Sequence, residues 1–280
     1  MRALLAVLLG LVAASPAPAQ EILVFAGSAS KPALEAAARA FEARTGTAVR
    51  FVFGGSGTVL AQMELARRGD LYVPGSPDFM EKARRRGLVD PDTEARLAYL
   101  VPAIAVPRGN PAGIRSLADL ARPGVRVGIA RPDTVCVGLY AVEVLERAGL
   151  AARVRPNIVN YAESCAKTAQ MAALGLVDAV IGWDVFDDWN PERIETVPLP
   201  PDAVVRIAYV PAAASAFCRN RSAALAFLGF LAGPEGRAVF GRHGYLTSLE
   251  AARRLARPGT PAGGEFRLPR GWRGLFRGKP

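Results

Sequence analysis

From Glu21 to about Phe186, apolar runs of a few residues alternate with stretches in which apolar side chains recur every three or four positions. Short β-branched and aromatic runs read as buried strands, and a 3.6-residue period as a helix with one face on a core. The alternation predicts parallel sheets covered by helices on both faces. Ile22-Leu23-Val24-Phe25-Ala26 is the first run. It passes through Gly27-Ser28-Ala29-Ser30-Lys31-Pro32 into a helix with Leu34, Ala37, Ala38 and Phe41 on one face, ended by Gly46. Pro32 suits a first helical turn, with Ser30 as the expected cap. Val49-Arg50-Phe51-Val52-Phe53 is the second run, and Gly54-Gly55-Ser56-Gly57-Thr58 leads from it into a helix carrying Val59, Leu60, Met63 and Ala66. Leu71-Tyr72-Val73 then runs into the turn Pro74-Gly75-Ser76-Pro77-Asp78.

Leu100 to Val106 is apolar with a central Pro102, awkward in mid-sheet and acceptable at a crossing into a second lobe. There, Val125-Arg126-Val127-Gly128-Ile129 is followed by Arg131 to Gly138 and a helix carrying Leu139, Val142, Leu145 and Ala148. Ile158-Val159-Asn160-Tyr161 is followed by Ala162-Glu163-Ser164-Cys165 and another helix. Asp178 to Trp183 is a further strand, and the chain is expected to recross near Val204 to Val210 before terminal helices at Ser222 to Leu231 and Pro234 to Phe240. The pattern divides the chain into lobe I (20–100 plus 205–250) and lobe II (101–204).

Four strand-to-helix turns, two in each lobe, thus combine glycine, hydroxyls and a helix start. Glycine lets backbone N–H groups approach an ion closely, and a helix N-terminus points unpaired donors and a positive dipole end at it. In open α/β sheets ligands sit beyond the carboxyl ends of the strands, where these turns lie. The arrangement predicts a cleft between two lobes that closes on a small anion.

Composition narrows this further. Met1 to Ala19 has Arg2, an apolar run from Ala3 to Ala14 and Ser-Pro-Ala-Pro-Ala, the form of a secretory leader cleaved near Ala19, which implies a periplasmic location. The formal net charge is +10, but residues 251–280 carry eight basic residues against Glu265, so +7 of it lies in a Gly- and Pro-rich tail that reads as disordered. The body shows no basic and aromatic interleaving of the kind that binds nucleic acid. Ser56 lacks the second glycine of a nucleophile elbow, and the single histidine, His243, ends a terminal helix, so enzymatic chemistry is not expected. No Cys-x-x-Cys is present and one histidine cannot build a multi-histidine zinc site; Asp184, Asp187 and Asp188 read as a solvated rim beside Trp183 and Trp189. Cys136 and Cys165 sit at two helix starts of one lobe in an oxidising compartment, and a disulfide between them is expected, with Cys218 free.

Ala26-Gly27-Ser28-Ala29-Ser30, the Phe-Gly-Gly-Ser-Gly turn and the order of the later elements resemble the periplasmic molybdate- and tungstate-binding proteins of ABC transporters, over roughly Glu21 to Leu246. The resemblance implies a two-lobed type II binding-protein fold and a monomeric, cofactor-free protein that captures a molybdate or tungstate oxyanion and delivers it to an ABC permease. It implies contacts from Ser56, with Gly57 beside it, and from either Ser28 or Ser30. Backbone donors would come from Val137 or Gly138 and from Cys165, beside Ser164, and an aromatic contact from Trp183. Trp183 stands where the family carries a tyrosine, so an indole N–H replaces a hydroxyl, and Asp184 is an alternative at that place. Gly182 stands where the archaeal tungstate-binding relatives carry a glutamate, which favours binding by hydrogen bonds alone. A receptor that presents its ligand to a sensor kinase, or a binder of another small anion or metal, is the alternative.

Overall fold

Two five-stranded sheets carry the chain, and proline decides where one ends and the next begins. The computed structural model describes residues 20–273. In the first sheet β1 (Glu21–Gly27) runs parallel to β2 (Ala48–Gly54) and β3 (Leu71–Val73), while β10 (Ala208–Ala214) is antiparallel to β3 and to β4 (Ala95–Leu100). The order is β2-β1-β3-β10-β4. In the second, β6 (Val127–Ala130) runs parallel to β7 (Ile158–Ala162) and β8 (Ala179–Trp183), and β5 (Pro102–Pro107) is antiparallel to β8 and to β9 (Ile194–Pro198). The order is β7-β6-β8-β5-β9. The apolar run from Leu100 to Val106 is therefore two strands in different sheets. Pro102, without an N–H, opens the second of them.

Helices flank both sheets: α1 (Lys31–Thr45), α2 (Ser56–Ala66) and α3 (Pro77–Arg85) with the first, α4 (Cys136–Arg147), α5 (Ala151–Val154), α6 (Cys165–Ala173) and α7 (Phe186–Trp189) with the second. After β10 come α8 (Arg221–Ala232), α9 (Pro234–Arg242) and α10 (Leu249–Arg253). Strands β8 and β10 are buried along their whole length, which explains why they read as continuous apolar runs rather than alternating ones. Helix α1 ends on Gly46 at φ +70°, a left-handed residue that any Cβ would strain.

The chain leaves the first sheet at Val101 and returns between Pro198 and Ala208. Val101 is held from both sides by one residue: its N–H donates to Asp184 Oδ1 (3.1 Å), and the Asp184 N–H donates to its carbonyl (3.0 Å). One buried apolar cluster runs through both lobes, from Ile22, Val24 and Leu34 to Tyr140 and Trp183, and a second lies behind the second sheet around Ile104, Ile129 and Leu145.

Two expectations need correction or restriction. The basic tail is not disordered as far as Arg273. Ala262 bridges to Ile207, Glu265 takes two hydrogen bonds from Arg85 (2.6 and 2.8 Å), and Trp272 is 2 % exposed in the second cluster. Its few apolar side chains, Leu268 and Trp272, supply burial that the Gly, Pro and Arg content conceals. The leader at 1–19 and residues 274–280 lie outside the described residues.

Candidate functional site

The 3-10 turn Ser28–Ser30 that opens α1 and the start of α2 at Ser56 come from one lobe, and the starts of α4 and α6 from the other. Direct bonds join them. The Ala166 N–H donates to Ser28 Oγ (3.1 Å) and the Gly57 N–H to the Thr134 carbonyl (2.8 Å), both from lobe to lobe. Glycine makes this approach possible. A Cβ on Gly55 would lie 2.8 Å from the Glu163 carbonyl and 2.9 Å from that of Thr134; one on Gly75 would lie 2.5 Å from Ala29 Cβ and 2.6 Å from Cys136 Sγ.

Ser28, Ser30 and Ser56 are each no more than 3 % exposed. Ser56 Oγ accepts from the Gly75 N–H (3.0 Å), and its carbonyl accepts from the Tyr72 hydroxyl (2.9 Å). A hydroxyl that already accepts a backbone N–H keeps its proton for another acceptor, which is how both Ser28 and Ser56 stand. Ser30 Oγ and the Tyr140 hydroxyl have no partner among the described residues, and the Trp183 indole N–H makes no full hydrogen bond but faces the Cys165 thiol. The expected capping role of Ser30 is thus not taken up: it precedes α1 without a side-chain cap bond. Buried donors left unpaired cost free energy unless something accepts from them.

Helices α4 and α6 start at Cys136 and Cys165, so the N–H groups of Val137, Gly138 and Cys165 belong to first turns that have no intrahelical acceptor. Gly138 is fitted so tightly under the Ala130 carbonyl that a side chain has no room. Trp183 closes the second-lobe end, fully buried, its ring 4.9 Å from that of Tyr140 in an edge-on contact. Gly57 and Ser164 already have partners within the protein. The Gly57 N–H is taken by Thr134, and Ser164 Oγ caps α6 by accepting from the Lys167 N–H (3.2 Å).

The expected disulfide is not formed. Cys136 and Cys165 Sγ are 3.4 Å apart, against about 2.05 Å for a bonded pair, and all three cysteines are free. Cys136 Sγ instead fills the space that Gly75 leaves open. Burial pushes the Cys165 thiol well up, and its contact with Cys136 adds to this; the Val137 N–H and the Trp183 indole act in the opposite direction. Asp184 is half-buried and bonded to Val101 at the crossing rather than freely solvated. Burial, with Asp187 and Asp188 adding, pushes its carboxyl up to about 7, while the Val101 N–H opposes the shift.

Comparison with known proteins agrees with the two-lobed fold. Residues 22–246 match the family model described as bacterial extracellular solute-binding protein. The chain belongs to that family. The molybdate-binding protein ModA of Rhodobacter capsulatus is 26 % identical over 252 residues, covering 87 % of this chain and 94 % of the relative. Among solved structures, the periplasmic molybdate-binding protein of Azotobacter vinelandii superposes with a TM-score of 0.71 at 22 % identity, over 81 % of this chain and 99 % of its own. The sulfate-binding protein SubI of Mycobacterium tuberculosis gives 0.73 at 19 %, over 87 % and 94 %. These likenesses establish the two-lobed fold of this solute-binding protein.

Sequence reasoning missed the second layer of the site: Tyr72 under Ser56, Gly75 between the lobes, and Tyr140. It also missed the ion cluster behind Tyr140. There Arg206 pairs with Asp78 of α3 (3.0 Å) and Glu143 of α4 (2.8 Å), with all three side chains at most 4 % exposed. The Pro74-Gly75-Ser76 turn was visible in the sequence, but its closeness to Cys136 is a tertiary fact.

Proposed function

We propose that this solute-binding protein acts in the periplasm, where it captures a fully deprotonated tetrahedral oxyanion, molybdate or tungstate, between its lobes and delivers it to an ABC permease. The observation that carries this reading is the set of unpartnered buried polar groups Ser30 Oγ, Tyr140 OH and Trp183 Nε1, of which Ser30 lies on the turn that opens α1, Tyr140 on α4 and Trp183 at the end of β8. All are neutral. Charge-assisted hydrogen bonds at roughly 1.5–3 kcal/mol each offset the desolvation of a dianion without a counter-charge. The indole and backbone N–H groups can only donate, so a protonated anion is disfavoured wherever its own proton would face one of them. Among the described residues, no three His, Cys, Asp or Glu side chains come together to hold a cation. The molybdate-binding relative aligned over 87 % of the chain supports the larger anions over sulfate.

Calorimetric titration of the mature protein with molybdate, tungstate, sulfate and phosphate tests the reading. Tight binding of molybdate or tungstate, with sulfate weaker and phosphate silent, is expected; silence with all four, or preference for sulfate, overturns it.

A further inference from the structure

The segment from Arg257 to Arg273 lies beyond the family match, which ends at residue 246, and it touches both lobes and the crossing between them. On the crossing, the Ile207 N–H donates to the Pro261 carbonyl and the Gly263 N–H to the Ile207 carbonyl, both at 2.9 Å, and the Arg257 N–H donates to the Pro201 carbonyl (3.0 Å). On the first lobe, the Phe266 N–H donates to Asp78 Oδ1 (3.0 Å) and Glu265 pairs with Arg85. On the second, the Trp272 indole N–H donates to Glu146 of α4 (2.7 Å), Arg155 stacks over the Trp272 ring at 5.0 Å, and the Arg155 guanidinium donates to the Gly271 carbonyl (2.8 Å). Leu268 and Trp272 are buried in the second lobe's cluster.

We propose that residues 257–273 are a strap that limits lobe opening, so that the ligand-free protein stays near the closed arrangement and a bound ligand is released slowly. The argument is one of reach. Only six residues separate Glu265, fixed to the first lobe, from Trp272, fixed to the second. A chain spans at most about 3.3–3.6 Å per residue, and Pro269 together with the 3-10 turn Arg270–Trp272 uses part of that length without extending. Seven Cα steps span at most about 23–25 Å, so any rotation about the two crossings that carries the anchors further apart than that must pull one of them loose. A device that disfavours the open state raises the population of the binding-competent one before any ligand arrives.

The release arm rests on the proposed oxyanion function; the ligand-free arm does not. Two variants of the full chain separate tethering from simple stabilisation. Trp272→Ala weakens the second-lobe anchoring, leaving Leu268 and the Arg155–Gly271 bond. Insertion of a short Gly-Ser run after the exposed Arg267 leaves every anchor in place and adds only slack. Scattering without ligand is expected to give a larger radius of gyration for both variants than for the unaltered protein. Stopped-flow release of molybdate should be faster in both, by about tenfold, equivalent to about 1.4 kcal/mol. An insertion that keeps the original radius overturns the strap, even if Trp272→Ala lowers the melting temperature. If the unaltered protein fails to bind molybdate, the functional reading falls, and the ligand-free radii still decide the strap.

Discussion

Ala166 at the start of α6 donates its N–H to Ser28 Oγ across the lobes at 3.1 Å, whereas Ser30 Oγ, two residues further on, is buried with no partner among the described residues. The difference assigns different penalties to the serines. Ser30→Ala removes an unpaired buried hydroxyl, so unfolding of the ligand-free protein should be unchanged or slightly harder. Molybdate affinity should fall by about 10- to 100-fold, the loss of one hydrogen bond to a charged group. Ser56→Ala should lose affinity and also about 1–3 kcal/mol of stability, because it strips the Gly75 N–H of its acceptor. Calorimetry and urea unfolding of the two variants side by side check this; equal stability losses would contradict the assignment.

Gly75 stands between Ala29 of the first lobe and Cys136 of the second. In Gly75→Ala the new methyl would lie 2.5 Å from Ala29 Cβ within the first lobe and 2.6 Å from Cys136 Sγ across the cleft, so it strains the first lobe and also keeps the lobes from coming together fully. Affinity for the anion should drop at least about tenfold together with a loss of stability from the Ala29 overlap, and Cys136→Ala in the same chain should restore part of the affinity. A double variant no better than the single one would show that the methyl does not act through closure.

Element types and their order were legible because each strand run and helix period is local: β1, α1, β2 and α2 follow directly from where Val, Phe, Gly and Ser fall. The four donor turns were legible for the same reason. Long-range packing was not. Cys136 and Cys165 were placed at neighbouring helix starts from the sequence, but whether their sulfurs bond or merely touch depends on Gly75 and Trp183 packing around them. Arg206 reads as one more surface arginine until the fold brings Asp78 and Glu143 to it from helices in different lobes. The tail misled because its composition is that of a flexible segment, while Glu265 pairs with Arg85, Trp272 bonds Glu146, and Leu268 and Trp272 are buried in the second cluster.

Arg206 neutralises two buried carboxylates that would otherwise face each other. Burial pushes the Glu143 carboxyl up while Arg206 holds it down; burial also works to lower the Arg206 guanidinium, but Tyr140, Asp78 and Glu143 together raise it. Arg206→Leu leaves both acids uncompensated and should cost about 3–5 kcal/mol in denaturant unfolding. Adding Asp78→Asn and Glu143→Gln should recover most of that loss, since breaking a buried ion pair is costlier than replacing it altogether. If the triple variant unfolds as easily as Arg206→Leu, the charges are not the cause.

Asp184 gives the protein a pH dependence with a defined direction. Its folded-state carboxyl sits at about 7, raised from an ordinary 3.8 first by burial and then by Asp187 and Asp188, with its bond from the Val101 N–H opposing. A group raised on folding favours the protonated native state, so its contribution is fully present below about pH 4 and is lost as pH rises through 7. A shift of about three units corresponds to roughly 4 kcal/mol at most, which the partial exposure of Asp184 reduces. Asparagine keeps an acceptor for the Val101 N–H but cannot ionise. Asp184→Asn should therefore unfold at higher urea than the unaltered protein at pH 8, by roughly 2–4 kcal/mol, and at the same urea at pH 4. The difference should appear between pH 4 and 8, with its steepest part below 7. Parallel stability curves for the two proteins over that range would show that Asp184 stays ionised at the crossing.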